Sequence, residues 1–91
     1  MTEIRQPVRV AIFASGAGSN AQKIIDYFRK NDFIKIALIV CNKPGAGVLR
    51  IADEENIPAV LINKEKFFND AYLDVLKKNE IGFIVLAGFL W

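Results

Sequence analysis

The sequence predicts an α/β protein, with four strands and three helices alternating as βαβαβαβ around a parallel sheet. Three observations carry this prediction. Short runs of β-branched and aliphatic residues, VRVAIFA (8–14), IKIALIV (34–40) and FIVLA (83–87), stop at glycine or turn-forming residues. The segments between them repeat apolar residues at three- and four-residue spacing, the period of a helix with one buried face. Strand and helix follow one another in regular order, so the strands should run parallel through right-handed crossovers.

The elements follow in chain order. The first strand, residues 8–14, ends at the glycines of SGAGSN. In residues 19–30, Ala21, Ile24, Ile25 and Phe28 fall on one helical face, with Ser19 or Asn20 available as the N-cap. The second strand is 34–40, and NKPGAG (42–47) is a turn. Val48, Ile51 and Ala52 line a short second helix that ends near Asn56, ahead of Ile57-Pro58. Residues 59–62 make a short third strand. Phe68, Ala71, Tyr72, Val75 and Leu76 mark a third helix, and Lys77 and Lys78 favour its C-terminal dipole end. The fourth strand is 83–87. Strands one, two and four are nearly continuous apolar runs, the pattern of strands covered on both faces. The segment FIVLAGFLW is the most apolar of the chain, and it has nothing after it to pair with or cover it. The sheet therefore reads as incomplete on its C-terminal side, with an edge that needs covering.

Composition narrows the function classes. Hydrophobic residues make up 53% of the 91, which describes a globular domain. A net charge of +2 is too small to argue for nucleic-acid or membrane partners. The single cysteine, Cys41, excludes an internal disulfide and a multi-cysteine metal site, and suits a reducing cytoplasm. Residues 1–7 have no apolar core of a signal peptide, and no run approaches the roughly 20 residues of a membrane span. There is no histidine, so proton transfer near neutral pH must use another group or residues outside these 91.

The chemistry-bearing motif is Gly16-Ala17-Gly18-Ser19-Asn20-Ala21, a G-x-G-x-x-A that follows a strand and opens a helix. Glycines permit the tight turn and let backbone approach an anion, and the helix start offers unpaired N–H groups and the positive dipole end. The motif points to phosphate binding; the plainer reading is that the glycines shape a turn and Ser19 or Asn20 caps the helix. A dinucleotide site would place Asp or Glu at the end of the second strand. Here that stretch is Val40-Cys41-Asn42-Lys43, which argues against NAD, while Lys43 leaves NADP open through a 2′-phosphate. The sequence lacks the G-K-[ST] of a Walker loop.

In combination, FASGAGSN after the first strand, CNKPGAG after the second and LAGF at the fourth resemble the glycinamide ribonucleotide formyltransferase family of purine synthesis, in order and with matching spacing over essentially the whole chain. The resemblance implies a Rossmann-like parallel sheet of the formyltransferase fold, of which residues 1–91 would be the N-terminal, phosphate-binding part. It implies that Gly18, Ser19 and Asn20 hold the phosphate of glycinamide ribonucleotide. It implies that Gly88, Phe89, Leu90 and Trp91 contribute to the pocket for 10-formyltetrahydrofolate, the formyl donor, and that no metal takes part. Two departures stand out. The family continues LAGF with Met-Arg, where this chain has Leu90-Trp91. The family's catalytic Asn, His and Asp lie beyond LAGF, so no residue here matches them, and the chain would need its own C-terminal half for turnover.

Other residues have plainer readings. Cys41 reads as a small core residue. Asn42 and Lys43 sit where open α/β sheets bind ligands, and read equally as a turn. Asp53, Glu54 and Glu55 read as a solvated helix face and not a metal site. Phe67, Phe68 and Tyr72 read as flank and core of the third helix. The rival functions are an NADP-binding oxidoreductase domain, a related folate enzyme such as formyltetrahydrofolate deformylase or methionyl-tRNA formyltransferase, and a non-catalytic phosphate-binding module.

Overall fold

A computed structural model describes residues 7–63 and 71–89. It contains β1 (Val8–Ala14), α1 (Ser19–Phe28), β2 (Ile34–Cys41), α2 (Gly47–Glu54), β3 (Ala59–Leu61), α3 (Ala71–Lys78) and β4 (Phe83–Leu86). The expected βαβαβαβ order is therefore present. The four strands form one parallel sheet in the order β3-β2-β1-β4. The chain starts at a central strand, moves outward through β2 to β3, and then returns across the sheet to place β4 on the other side of β1.

β1 and β2 are the buried heart of the sheet, as their nearly continuous apolar runs predict. Alternate side chains of β1 point to opposite faces. Ile12 and Ala14 join Ile39 and Cys41 of β2 against Ala21 and Ile25 of α1 and Val48 and Ala52 of α2. Ala11 and Phe13 join Leu38 and Val40 on the other face, with Ile62 and Leu76 of α3. The pairing of β1 with β2 shifts register between Val10 and Ala11: Val10 pairs with Ile36, but Ala11 pairs with Leu38, leaving Ala37 out of register. The shift keeps isoleucines on the α1–α2 face at both ends, Ile34 and Ile36 before it and Ile39 after it.

Three expectations need correction. α1 ends at Phe28, two residues short of 30: Arg29 is its C-cap, with its N–H on the Asp26 carbonyl at 3.4 Å, and Lys30 lies in the turn that follows. Neither Ser19 nor Asn20 is the N-cap of α1. That position is Gly18, at φ 90°, with no side-chain cap bond. The loop must turn through a left-handed conformation just before the helix, and only glycine does so without a Cβ penalty. β4 has the composition of a doubly covered strand, yet its pairing in the sheet is with β1 alone, and Phe83 and Leu86 are 62% and 68% exposed. On the α1 side, Val8, Val10, Phe28, Ile34, Phe83 and Val85 line an apolar groove of about 310 Å³, because α1 leans over β2 and leaves β4 bare. Phe67 and Phe68 lie outside the described residues, as does the side chain of Tyr72. Among the described residues, no helix is long and apolar enough to cross a membrane.

Candidate anion-binding site at the carboxyl end of the sheet

In a parallel sheet whose connections depart in opposite directions from one strand, the carboxyl ends of the strands open a crevice at the point of reversal. Here that point lies between β1 and β4. The glycine loop leaves the end of β1, and Ala87-Gly88-Phe89 leaves the end of β4 one strand over. Phe13 pairs with Leu86, and the Ala87 N–H donates to the Phe13 carbonyl at 2.8 Å. Two segments more than 60 positions apart in the chain thus meet at one sheet end, which brings together the described members of both predicted site groups. Leu90 and Trp91 lie outside the described residues.

The start of α1 is open. Its first intrahelical bond runs from Gln22 N–H to the Gly18 carbonyl at 2.8 Å. The N–H groups of Ser19, Asn20 and Ala21 therefore have no acceptor within the helix, as at any helix start, and no side chain caps them. Ser19 and Asn20 are exposed while Gly18 is buried. Gly16 is exposed, and a Cβ there would meet nothing within 4 Å. The arrangement places the first backbone donors and the positive helix end at exposed residues, Ser19 and Asn20.

The start of α2 is closed by the same loop. Its N-cap is Ala46, the Leu49 N–H donates to the Ala46 carbonyl at 3.0 Å, and the Val48 N–H donates to the Gly16 carbonyl at 3.2 Å. Gly47 lies so close that a Cβ would come within 2.7 Å of the Ala17 carbonyl oxygen. At Gly18 a Cβ would come within 2.6 Å of Ile51 Cδ1 and 2.9 Å of Val48 Cα. Gly18 is therefore needed twice, for its positive φ and for helix packing.

Beneath the loop, the hydroxyl of Ser15, only 1% exposed, donates to Asn42 Oδ1 at 2.5 Å. Sequence reasoning missed this bond. Its signal was a serine directly after a buried strand, where a hydroxyl must find a partner. Asn42 stands where a dinucleotide site would carry its ribose-binding carboxylate, and its amide oxygen is engaged by Ser15. Lys43 is exposed. Cys41 is a free, buried core residue, as expected, and its sulfur accepts from the Lys43 N–H at 3.4 Å.

Gly88 is exposed at φ 73°, with nothing within 4 Å of a Cβ. Phe89 is half-buried, edge-on to Phe13 with ring centroids 5.4 Å apart. That contact ties the β4 exit to the α3 side of the core, so Phe89 serves packing.

Charge is concentrated at the opposite end of the sheet. Arg29, just past α1, pairs with Asp26 at 2.5 Å and with Glu55 at 2.7 Å, and Gln22 donates to both carboxylates. The Arg29 bond holds the Glu55 carboxyl down at about 2 and lowers Asp26 as well. Asp53 and Glu54 are exposed, as expected, but Glu55 is a half-buried tie between α2 and α1 and not a solvated face residue. A cavity of about 290 Å³ beside this network is lined by Arg29, Glu55, Asn31, Asp32, Lys35 and apolar neighbours, and by no residue of the glycine loop. Among the described residues, no group of three metal-ligating side chains comes together.

Comparison with known proteins fits this geometry. The profile of the family described as "Formyl transferase" matches residues 8–91. Phosphoribosylglycinamide formyltransferase of Bacillus subtilis is 32% identical over 88 residues, covering 90% of this chain and 45% of that protein. The human trifunctional purine biosynthetic protein adenosine-3 is 35% identical over 92 residues, covering 94% of this chain and 9% of that protein. Among solved structures, glycinamide ribonucleotide transformylase 1 from Geobacillus kaustophilus superposes with a TM-score of 0.84 at 37% identity, covering 93% of this chain and 48% of that one. The chain thus spans about half the length of the single-function relatives it matches.

Proposed function

The chain belongs to the formyl transferase family, and on that premise we propose that it is the N-terminal, phosphate-binding part of an enzyme that transfers a formyl group from 10-formyltetrahydrofolate to the amine of glycinamide ribonucleotide. The observation that carries this reading is the uncapped start of α1, opening beside the β4 exit at the sheet's point of reversal. The names of the relatives support the purine substrate over other formyl acceptors. Membership in a formyl transferase family favours this reading over an NADP-dependent oxidoreductase.

Gly18, Ser19 and Asn20 hold the substrate phosphate: their backbone N–H groups donate to its oxygens, and the dipole of α1 favours its charge. Gly88 and Phe89, with Leu90 and Trp91 after them, form one wall of the folate pocket. Gly88 has open space around it, so a flat ring can approach the backbone there. The folate supplies an activated formyl group. In the reaction the substrate amine attacks the formyl carbon, an oxyanion forms, the bond to the folate nitrogen breaks, and a proton passes from the amine to that nitrogen. These 91 residues position the phosphate and hold no histidine to move that proton. We place the oxyanion donor and the proton relay in a C-terminal half that covers β4, whose bare apolar faces suit such a neighbour. No metal is required by this scheme, and a cytoplasmic setting suits the free, buried Cys41.

Titration of the intact protein with glycinamide ribonucleotide, followed by amide chemical shifts, tests the reading. The amides of Gly18, Ser19 and Asn20 should move, and NADP should leave them still. Loop shifts with NADP and none with the ribonucleotide would overturn the proposal. Formyl transfer by the isolated 91-residue chain would overturn its division of labour.

A further inference from the structure

We propose that Asn42 is a positioning residue for the glycine loop, acting through Ser15, so that the turn after β2 is a working part of the anion site. The proposal deepens the phosphate reading and rests on it for its purpose. Its physical basis is separate: every residue of the loop from 15 to 18 is held by the segment from Asn42 to Ile51. Ser15 Oγ donates to Asn42 Oδ1 at 2.5 Å, and the Gly16 carbonyl accepts from Val48 N–H at 3.2 Å. Ala17 lies against Gly47, and Gly18 against Val48 and Ile51. The last three contacts involve backbone or aliphatic packing; the Ser15–Asn42 bond is a directed side-chain contact, made out of water by a hydroxyl that is 1% exposed.

A loop with two glycines in three residues has more conformations to lose than any other. Backbone donors bind an anion well only if they converge before it arrives, since ordering them on binding subtracts from affinity. The brace supplies that order in advance. It also accounts for the residue type. An aspartate would accept the same bond from Ser15, but would set a negative charge beside a loop meant for phosphate. Asparagine accepts without charge.

The test uses backbone order parameters of the intact protein together with titration by inorganic phosphate. In Asn42→Ala, order parameters at Gly16, Gly18 and Ser19 should fall from about 0.85 to about 0.6 or below, while those of Ile12 and Ile39 stay unchanged. Phosphate affinity should fall about fivefold, the scale of one neutral hydrogen bond. Asn42→Asp should keep the loop ordered and still weaken phosphate binding. Should Asn42→Ala not fold, Ser15→Ala removes the donor with little change of volume and repeats the measurement. An unchanged loop in the alanine variant overturns the proposal, as does loosening of Ile12 and Ile39 in step with the loop. A loop that loosens as expected in a protein whose Ser19 and Asn20 amides ignore phosphate leaves the brace standing and overturns the phosphate reading.

Discussion

At the amino end of the sheet, Arg29 is shared by two carboxylates, and Asn31 Oδ1 accepts from the N–H groups of Phe33 and Ile34. At the carboxyl end, the glycine loop is shaped by backbone contacts and one serine–asparagine bond, and the first N–H groups of α1 have no partner within their helix. The first end satisfies its charges internally and so ties α1 to α2. The second leaves the first donors of α1 without partners in their own helix, and the proposed phosphate would supply acceptors for them. Strength of charge is thus a poor guide to the site in this molecule. Among the described residues, the densest ion-pair network and the cavity beside it lie at the end where no predicted site residue falls.

Three further predictions sharpen or break this contrast. The largest effect should come from Gly18→Ala. The substitution puts a Cβ at φ 90° and within 2.9 Å of the Val48 backbone. Strain and overpacking together should cost about 2–4 kcal/mol in urea denaturation, with ligand-induced shifts in the loop lost. A change below about 0.5 kcal/mol would mean that the loop is not locked to α2.

Acid should have a smaller effect, confined to the other end. The Glu55 carboxyl sits at about 2, below its ordinary 4.5, so its ionised form favours the folded state. That contribution is complete above pH 4.5 and is lost as pH falls toward 2. Asp26, also lowered, adds to the same loss. The Asp26 and Arg29 side chains are 56% and 48% exposed, so solvent screens the pair and the effect should be modest. In Glu55→Gln the acid limb of the stability curve should flatten, keeping only the Asp26 portion. Chemical shifts of Gly16 to Ser19 should stay constant over that pH range; if they move with the Glu55 titration, the two ends are coupled and the contrast fails.

The smallest effect should come from Gly16→Ala, where nothing lies within 4 Å of a new Cβ. Stability should change by less than about 0.5 kcal/mol. Set beside Gly18→Ala, it separates the glycine that opens toward solvent from the glycine that packs. Equal destabilisation by the two would show that both are structural.

Much of this was legible in residue order. The bounds of β1 fall where the run VRVAIFA meets Ser15-Gly16, because an apolar strand stops where polar and glycine residues begin. The glycine loop between β1 and α1 was legible for the same reason, since glycines mark where the strand stops and the helix begins. The cap was misread: Ser19 and Asn20 are good N-caps by type, but the turn needs a left-handed residue first, and Gly18 takes the place. Glu55 was misread as solvated, because its partners Gln22, in α1, and Arg29, just past it, are more than 25 positions away.

By itself, the sequence determined the alternation of strand and helix, the parallel sheet, the buried centre at β1 and β2, and the position of the glycine loop between β1 and α1. These are consequences of local period and of where glycine stands. Tertiary structure alone decided that β4 lies beside β1, opposite β2, so that Gly88 and the glycine loop follow adjacent strands at the same sheet end. It also decided the register shift at Ala37 and the Ser15–Asn42 bond. Each of these depends on which distant segments touch, and no periodicity along the chain records that.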